Sequence, residues 1–151
     1  MSFAAKMVRI FLAAAALLFL AVGAAVSQGP MAGTIRPLAS VPFAPDLDVA
    51  CLASALQIGN PATGPSTWIL KAPVGCVVPW HSHTAQEQLI MVAGEELAEM
   101  VDHPPTVLGP GGFAMMAGGV AHQFTCQGRE ACVMFVTFDR AYDIKWGKTR
   151  P

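Results

Sequence analysis

The chain has 151 residues, of which 54% are hydrophobic and 13% charged, and its formal net charge is −1. This composition excludes an intrinsically disordered chain, which needs few apolar residues and a high net charge. It also excludes a protein that binds nucleic acid through a basic surface, because nine Lys and Arg against ten Asp and Glu leave no positive excess for phosphates.

The first 27 residues have the pattern of a secretory signal peptide. Lys6 and Arg9 precede the apolar run Ile10–Val22, and small residues follow as far as Ser27. The apolar run is short for a membrane-spanning helix, which needs roughly 20 residues, so we expect no stable membrane anchor; an uncleaved anchor is the alternative. Cleavage near Ser27 predicts a periplasmic or secreted protein.

The remainder divides into residues 28–66 and residues 67–151. Five prolines interrupt the first part, which we expect to be an irregular segment that packs on a barrel. Within it, residues 48–59 fit either a helical turn or a strand. The second part is predicted to be that barrel with its C-terminal tail, and the tail, with the single tyrosine Tyr142, is expected to cover one barrel end.

Short apolar runs separated by Gly and Pro follow one another from Thr67 onward. Strands at this regular spacing, without a long helical period, predict an all-β sandwich or barrel. The predicted strands are Thr67–Lys71, Val77–His83, Gln88–Val92, Leu97–Val101, Phe113–Met116, His122–Cys126 and Ala131–Phe138.

Three of the four histidines lie at informative positions. His81 and His83 project from the same face of a strand, and Glu87 has the same parity. His122 opens another predicted strand. Imidazole and carboxylate groups together suit first-row divalent metals, although each of these residues taken alone more often has an ordinary structural or surface role. His103, in the run "DHPP", is expected to be a loop histidine.

The spacing of these residues resembles that of the cupin family. Residues 75–94, "GCVVPWHSHTAQEQLIMVAG", match each fixed position of the first cupin motif, G-x5-H-x-H-x3,4-E-x6-G. Residues 111–126 resemble the second motif, G-x5-P-x-G-x2-H-x3-N, with Ala117 at its proline position and Cys126 at its asparagine position. The chain is similar to small exported bacterial single-domain cupins.

The resemblance implies a double-stranded β-helix, or jelly-roll barrel, with one divalent metal (Fe, Mn or Zn) in its mouth. The implied ligands are His81, His83, Glu87 and His122, with Gln88 as an alternative to Glu87. It also suggests a homodimer. No further cofactor site and no catalytic residue apart from these ligands is identified.

Side chains of the same parity as the ligands should line the pocket, which predicts an apolar interior. Leu89, Met91 and Phe124 are expected to point inward, with Phe113 and Met115 on a neighbouring strand. Few acids or bases are expected besides the ligands, and no second carboxylate is placed for paired general acid–base catalysis. Such a pocket favours a mononuclear, dioxygenase-like metalloenzyme acting on a small organic molecule. The alternative is a non-catalytic periplasmic cupin that binds a metal or a small ligand, so whether the protein is an enzyme stays open.

The four cysteines predict disulfides if the protein is exported. Cys126 and Cys132 flank the sequence "QGREA" between two predicted strands, and a hairpin there would place them opposite each other. The competing interpretation is a reduced Cys126 that points into the barrel. Cys51 and Cys76 are left as a second candidate pair, separated by a stretch of undecided structure.

Overall fold

The structure, a computed structural model, describes residues 33–147. The predicted signal peptide lies outside the described residues. The described residues from Arg36 onward belong to one compact unit. Between residues 33 and 147 no helix is both long and apolar enough to cross a membrane.

The described part of the chain consists of one short 3-10 turn, Leu38–Ser40, followed by strands. The strands are β1 (Ala44–Pro45), β2 (Ala53–Gly59), β3 (Ser66–Ala72), β4 (Val77–Ser82), β5 (Glu87–Ala93), β6 (Glu95–Met100), β7 (Thr106–Leu108), β8 (Phe113–Met116), β9 (His122–Gln127), β10 (Cys132–Phe138) and β11 (Lys145–Trp146).

These strands form two antiparallel sheets, which confirms the predicted all-β fold. One sheet has the order β1-β2-β3-β10-β5-β8 and the other β11-β4-β9-β6-β7. Each of the seven strands predicted from the sequence overlaps an observed one. Strands that follow each other in sequence, such as β4 and β5 or β9 and β10, lie in different sheets. This alternation between sheets is what wraps the chain into a jelly roll.

The undecided stretch 48–59 contains a strand. Residues 53–59 form β2, which pairs with β3 from Ala53 opposite Lys71 to Gly59 opposite Ser66. The run "ASALQIG" has few β-branched or aromatic residues, so strand propensity alone was too weak to decide. The segment predicted to be irregular therefore contributes a strand to the six-stranded sheet.

Alternate residues of the strands point into the interior, as predicted, except on β8. Leu89, Met91 and Phe124 are buried, as expected. Phe113 and Met115 instead are 55% and 45% exposed. The reason is the register of β8 on β5, because Met116 lies opposite Glu87 and opposite residues share a face of the sheet.

Both candidate cysteine pairs are bonded, Cys126 to Cys132 and Cys51 to Cys76. The expected Cys126–Cys132 pairing is confirmed, so Cys126 is not a reduced thiol in the barrel. The hairpin from which this pairing was predicted does not form. Because β9 and β10 belong to different sheets, this bond joins the two sheets rather than two neighbouring strands.

The second disulfide joins the same two sheets at the same end of the barrel. Cys51 precedes β2 of one sheet, and Cys76 precedes β4 of the other. The backbone N–H of Cys126 donates to the carbonyl of Cys76 at 2.9 Å, so the two disulfides lie side by side.

Candidate metal centre

The four predicted ligands come together in the barrel. One ligand atom from each of His81, His83, Glu87 and His122 lies within 4.8 Å of the others, and all four residues are at most 5% exposed. His81 faces His122 across the β4–β9 pairing, Glu87 opens β5, and His83 lies in the connection between β4 and β5. Three imidazoles and a carboxylate at this spacing could hold one divalent metal.

A bulge in β4 turns His81 inward. The register with β9 shifts between Val78 and His81, and consecutive residues Trp80 and His81 are both buried as a result. Pro79 lies inside this shift, where its missing N–H does not break a regular ladder. The carbonyl of Pro79 then accepts a hydrogen bond from Nδ1 of His81 at 2.7 Å.

Each imidazole is held in the same tautomer by a backbone carbonyl. Nδ1 of His81 donates to Pro79, Nδ1 of His122 donates to Val120 at 2.9 Å, and Nδ1 of His83 donates to Asp143. A carbonyl can only accept, so the proton of each neutral ring is on Nδ1 and the lone pair is on Nε2. Partners of this kind orient metal-binding histidines in proteins.

The electrostatics of the cluster also fit a cation. Burial raises the pKa of Glu87, but His122 and His83 outweigh it in the metal-free chain and lower this pKa to about 2, through hydrogen bonds and charge that require a second ring proton, on Nε2. Burial, helped by nearby His122, lowers the pKa of His81 to about 4, so this ring is neutral at pH 7. Oε2 of Glu87 lies 3.1 Å from Nε2 of His83 and of His122.

Without a metal, the buried carboxylate needs a proton on a neighbouring ring. Burial works against protonation of His83, yet the hydrogen bond and charge of Glu87 leave the pKa of His83 raised. A buried anion requires a compensating positive charge. A divalent cation among the four side chains would supply it while leaving the imidazoles neutral, so the donor set fits a metal.

The C-terminal tail contributes residues that the spacing of the motifs did not reveal. The Tyr142 ring centroid lies 5.4 Å from that of His83 and 5.0 Å from that of Phe138. The Tyr142 hydroxyl donates to Asp48 at 2.9 Å. β11 pairs with β4, and Trp146 lies opposite His81. The tail therefore covers the histidine end of the barrel, as the prediction of an aromatic cover required.

Asp143 fixes the tail to the metal-ligand segment. Its carboxylate accepts hydrogen bonds from the backbone N–H and the hydroxyl of Thr84, at 2.6 and 2.7 Å, and its carbonyl holds His83. These hydrogen bonds lower the pKa of the Asp143 carboxyl. The tail thus sets the orientation of one predicted ligand, which only the folded chain reveals.

Two other polar residues lie away from the cluster. Gln88, the alternative ligand, is exposed on the opposite face of β5 from Glu87. His103 is exposed in the turn between β6 and β7, as expected for a loop histidine.

A cavity of about 590 Å³ opens beside the cluster. Its walls are mainly apolar, as predicted, and include Leu52, Trp68, Leu70, Leu89, Phe124 and Met134. Glu96, which the sequence analysis did not place in the pocket, also lines this cavity and is 1% exposed. Burial, followed by the charge of Glu87, raises the pKa of Glu96 to about 8.

The sequence prediction missed Glu96 because the predicted strand begins one residue later, at Leu97. β6 begins at Glu95, immediately after Gly94, which has a φ of +77°. A Cβ at Gly94 would lie 2.8 Å from the carbonyl oxygen of Ala131, so this tight turn requires glycine. Glu96 then takes the inward parity of Ala98 and Met100, a signal that the alternation could have given.

Comparison with known proteins identifies the domain. Residues 68–138 match the family model of the cupin domain. The dimethylsulfoniopropionate lyase DddQ of Ruegeria pomeroyi is 35% identical over 57 residues, which is 38% of this chain. The match spans only 28% of that curated relative.

Solved structures of low sequence identity share the fold. The DddQ structure from Ruegeria pomeroyi aligns with a TM-score of 0.60 at 20% identity, covering 78% of this chain and 61% of that one. The polyketide cyclase RemF from Streptomyces resistomycificus aligns with a TM-score of 0.67 at 14% identity, covering 80% and 88%. A cupin-like protein from Thermotoga maritima gives 0.58 at 17% identity, covering 65% and 77%.

The matched domain, the two-sheet barrel and both histidine motifs agree, and residues 68–138 of the chain form a cupin domain.

Proposed function

We propose that this protein is a metal-dependent enzyme that acts on a small organic molecule in the cavity. The observation that carries the proposal is the convergence of His81, His83, Glu87 and His122 beside that cavity, with the three rings already oriented by backbone carbonyls. An Fe, Mn or Zn ion held there would supply Lewis-acid stabilisation of negative charge on the substrate.

The favoured reaction is a lyase reaction on a short carboxylate with a leaving group. The support is the 35% identity with a dimethylsulfoniopropionate lyase, although over only 57 residues. The chain's own contribution is positional. Apolar walls such as Leu89 and Phe124 exclude water from the substrate, and Asp143 keeps His83 in one orientation.

An oxygen-dependent, dioxygenase-like reaction is the second candidate. It is favoured by a specific observation, because a three-histidine, one-carboxylate set beside a mainly apolar cavity suits a redox-active ion and an uncharged substrate. The non-catalytic alternative is a periplasmic protein in which the same residues bind a metal or a small ligand.

Product analysis separates these candidates. The full chain is loaded in turn with Fe(II), Mn(II) and Zn(II) and incubated with dimethylsulfoniopropionate, with detection of dimethyl sulfide. Oxygen uptake is followed with diketones, catechols, flavonoids and small acids. The matched controls are His81→Ala/His83→Ala and the exposed-residue variant His103→Ala. Dimethyl sulfide release that only the first control abolishes supports the lyase, and oxygen uptake with the same dependence supports the dioxygenase.

The enzyme proposal fails if the chain binds one of these metals but turns over none of these compounds.

We also propose that the protein is exported, as a periplasmic or secreted chain. Two disulfides that join the sheets suit an oxidising compartment. Mass spectrometry of the protein isolated from its natural location should show a mature chain that begins at Gln28. A chain found only in the membrane fraction, with residues 1–27 attached, would show that this segment is an anchor.

A homodimer is proposed from the outer face of the six-stranded sheet. Phe113, Ile90 and Phe135 lie side by side on β8, β5 and β10, and each is exposed. A contiguous apolar patch of this kind is typical of an interface. Light scattering should give the mass of two chains, and Phe113→Glu should give the mass of one. A monomeric wild-type chain contradicts this proposal.

A further inference from the structure

Glu96 is a buried acid without a partner in the same cavity as the candidate metal centre. Among the residues that the structure describes, its Oε1 is the one buried side-chain oxygen or nitrogen that has no hydrogen-bond partner. The carboxyl group lines the cavity rather than packing against a donor. A buried polar atom left unpaired is costly, so a fold that keeps one beside a cavity leaves it available to a ligand.

The position of Glu96 separates it from the metal ligands. It lies opposite Cys126 on β9, whereas Met100 on the same strand lies opposite His122. The charge of Glu87 nevertheless acts on Glu96 across the same cavity, so one ligand can reach both sites. Such a ligand needs a group at each end.

The charges around the cavity indicate what kind of group would meet Glu96. Four acidic residues, Asp46, Asp48, Glu87 and Glu96, line the cavity, and no Lys or Arg does so within residues 33–147. The walls between them are apolar and aromatic, including Trp68 and Phe124. An anionic ligand end would be repelled here, whereas a cation would meet a carboxylate and aromatic faces, both of which attract positive charge.

We propose that Glu96 forms a cation subsite that takes an alkylated onium group, such as a sulfonium or a quaternary ammonium, at the far end of a short carboxylate ligand. An onium group carries no N–H or O–H donor, so it suits the part of the cavity where Glu96 offers its one carboxyl among apolar walls. The inference rests on the proposed function, because it assumes that the carboxylate end lies at the metal centre.

Binding of such a cation has a signature in protons. The pKa of Glu96, raised to about 8 by burial and then by Glu87, means that the free carboxyl is largely protonated at pH 7. Pairing with a cation needs the carboxylate, so the acid proton leaves for the buffer when the ligand binds. Up to one proton should be released for each cation bound.

The nearest neighbours of Glu96 do not exchange protons, so proton release on binding can be assigned to Glu96. On the two neighbouring strands it faces Cys126, which is disulfide-bonded, and Leu108. The opposite sheet contributes apolar wall residues, Leu70, Leu89 and Met134. The other ionisable residues that line the cavity are Asp46, Asp48, His81, His83, Glu87 and Tyr142.

Calorimetry with two ligands of the same shape tests the inference. The full chain with Zn(II) added is titrated with β-alanine betaine, a trimethylammonium carboxylate, and with its isostere in which carbon replaces the charged nitrogen. Titrations in two buffers of different ionisation enthalpy give the proton count. The wild-type chain should prefer the cation by at least about tenfold, as expected for a close charge pair, and release protons only with the cation.

Two variants locate the effect. Glu96→Gln should lose both the preference and the proton release, whereas Glu95→Gln, the same change on the exposed face of β6, should keep both. If Glu96→Gln does not fold, wild-type titrations between about pH 6 and pH 8 replace it, and the affinity for the cation alone should rise with pH.

Equal affinity for the two ligands, preference for the uncharged one, or binding of neither overturns the inference. Neither ligand contains sulfur, so binding is measured separately from the release of dimethyl sulfide. A cation preference without dimethyl sulfide release contradicts only the proposed reaction, and release without a preference contradicts only the cation subsite.

Discussion

Strands β4 and β9 carry different chemistry at their two ends. At one end His81 lies opposite His122, and at the other Cys76 and Cys126 share a backbone hydrogen bond. Cys126 is bonded to Cys132 in β10 of the opposite sheet, and Cys76 to Cys51, which precedes β2 of that sheet, whereas His122 contacts the same sheet through Glu87. The same pair of strands thus has one end that is covalently closed and one end whose contacts with the opposite sheet are noncovalent.

The difference shows how a small barrel can be stable and still bind a ligand. Two disulfides at the cysteine end restrict the unfolded chain and keep the sheets together. The histidine end can then carry four buried polar side chains, whose positions serve metal binding rather than close apolar packing. Stability and ligand binding are therefore assigned to opposite ends of the same strands.

The largest expected effect is at the cysteine end, where Glu96 should make the free energy of unfolding depend on pH. The pKa of Glu96 rises from 4.5 to about 8 on folding. Its contribution to the free energy of unfolding is therefore fully present below about pH 4.5 and is lost as the pH rises towards 8. The loss approaches about 1.4 kcal/mol per pH unit. In metal-free protein, Glu96→Gln should remove it and be more stable than wild type at pH 8, by about 4 kcal/mol.

Urea unfolding at several pH values measures this difference, and Glu95→Gln is the matched control. Parallel pH profiles for wild type and Glu96→Gln would show that Glu96 is not a buried acid.

Removal of the longer disulfide should have the next largest effect. Cys51 and Cys76 are 25 residues apart, and a disulfide that closes a loop of that length stabilises the fold by about 3.5 kcal/mol. Cys51→Ser/Cys76→Ser should lower the free energy of unfolding by about this amount. The folded variant should keep its metal, because the ligands lie at the other end. An unchanged free energy of unfolding, or loss of metal from the folded variant, would contradict the assignment of stability to the cysteine end and metal binding to the histidine end.

The smallest effect concerns the tail at the histidine end. Tyr142→Phe removes the hydrogen bond to Asp48 but keeps the ring against His83, so the free energy of unfolding should fall by about 1 kcal/mol or less. Metal affinity should not change, whereas Tyr142→Ala, which removes the ring, should weaken it. Calorimetric metal titrations check this. If Tyr142→Phe alone loses the metal, the hydroxyl has a direct role in the site.

The sequence predicted what depends on local spacing. The strands follow from short apolar runs, and three ligand candidates lie within seven residues, where parity determines a common face. The distant candidate His122 required the second motif. The inward positions of Leu89 and Phe124 followed from the same parity.

What the sequence could not predict depends on how the sheets pack. The orientation of Phe113 and Met115 follows from the register of β8 on β5, which no turn in the sequence specifies. The hairpin expected between β9 and β10 is absent because these strands belong to different sheets. Asp143 holds His83 across 60 positions of the chain, a proximity that only the folded barrel creates.

The metal content of the natively purified chain is the most direct test of the four-residue metal centre. Elemental analysis should give one divalent metal per chain for wild type and for His103→Ala, whose histidine is exposed and outside the cluster. His81→Ala/His83→Ala should contain none, because two of the four ligands are gone. Metal at the wild-type stoichiometry in that folded double variant would contradict the assignment of the site.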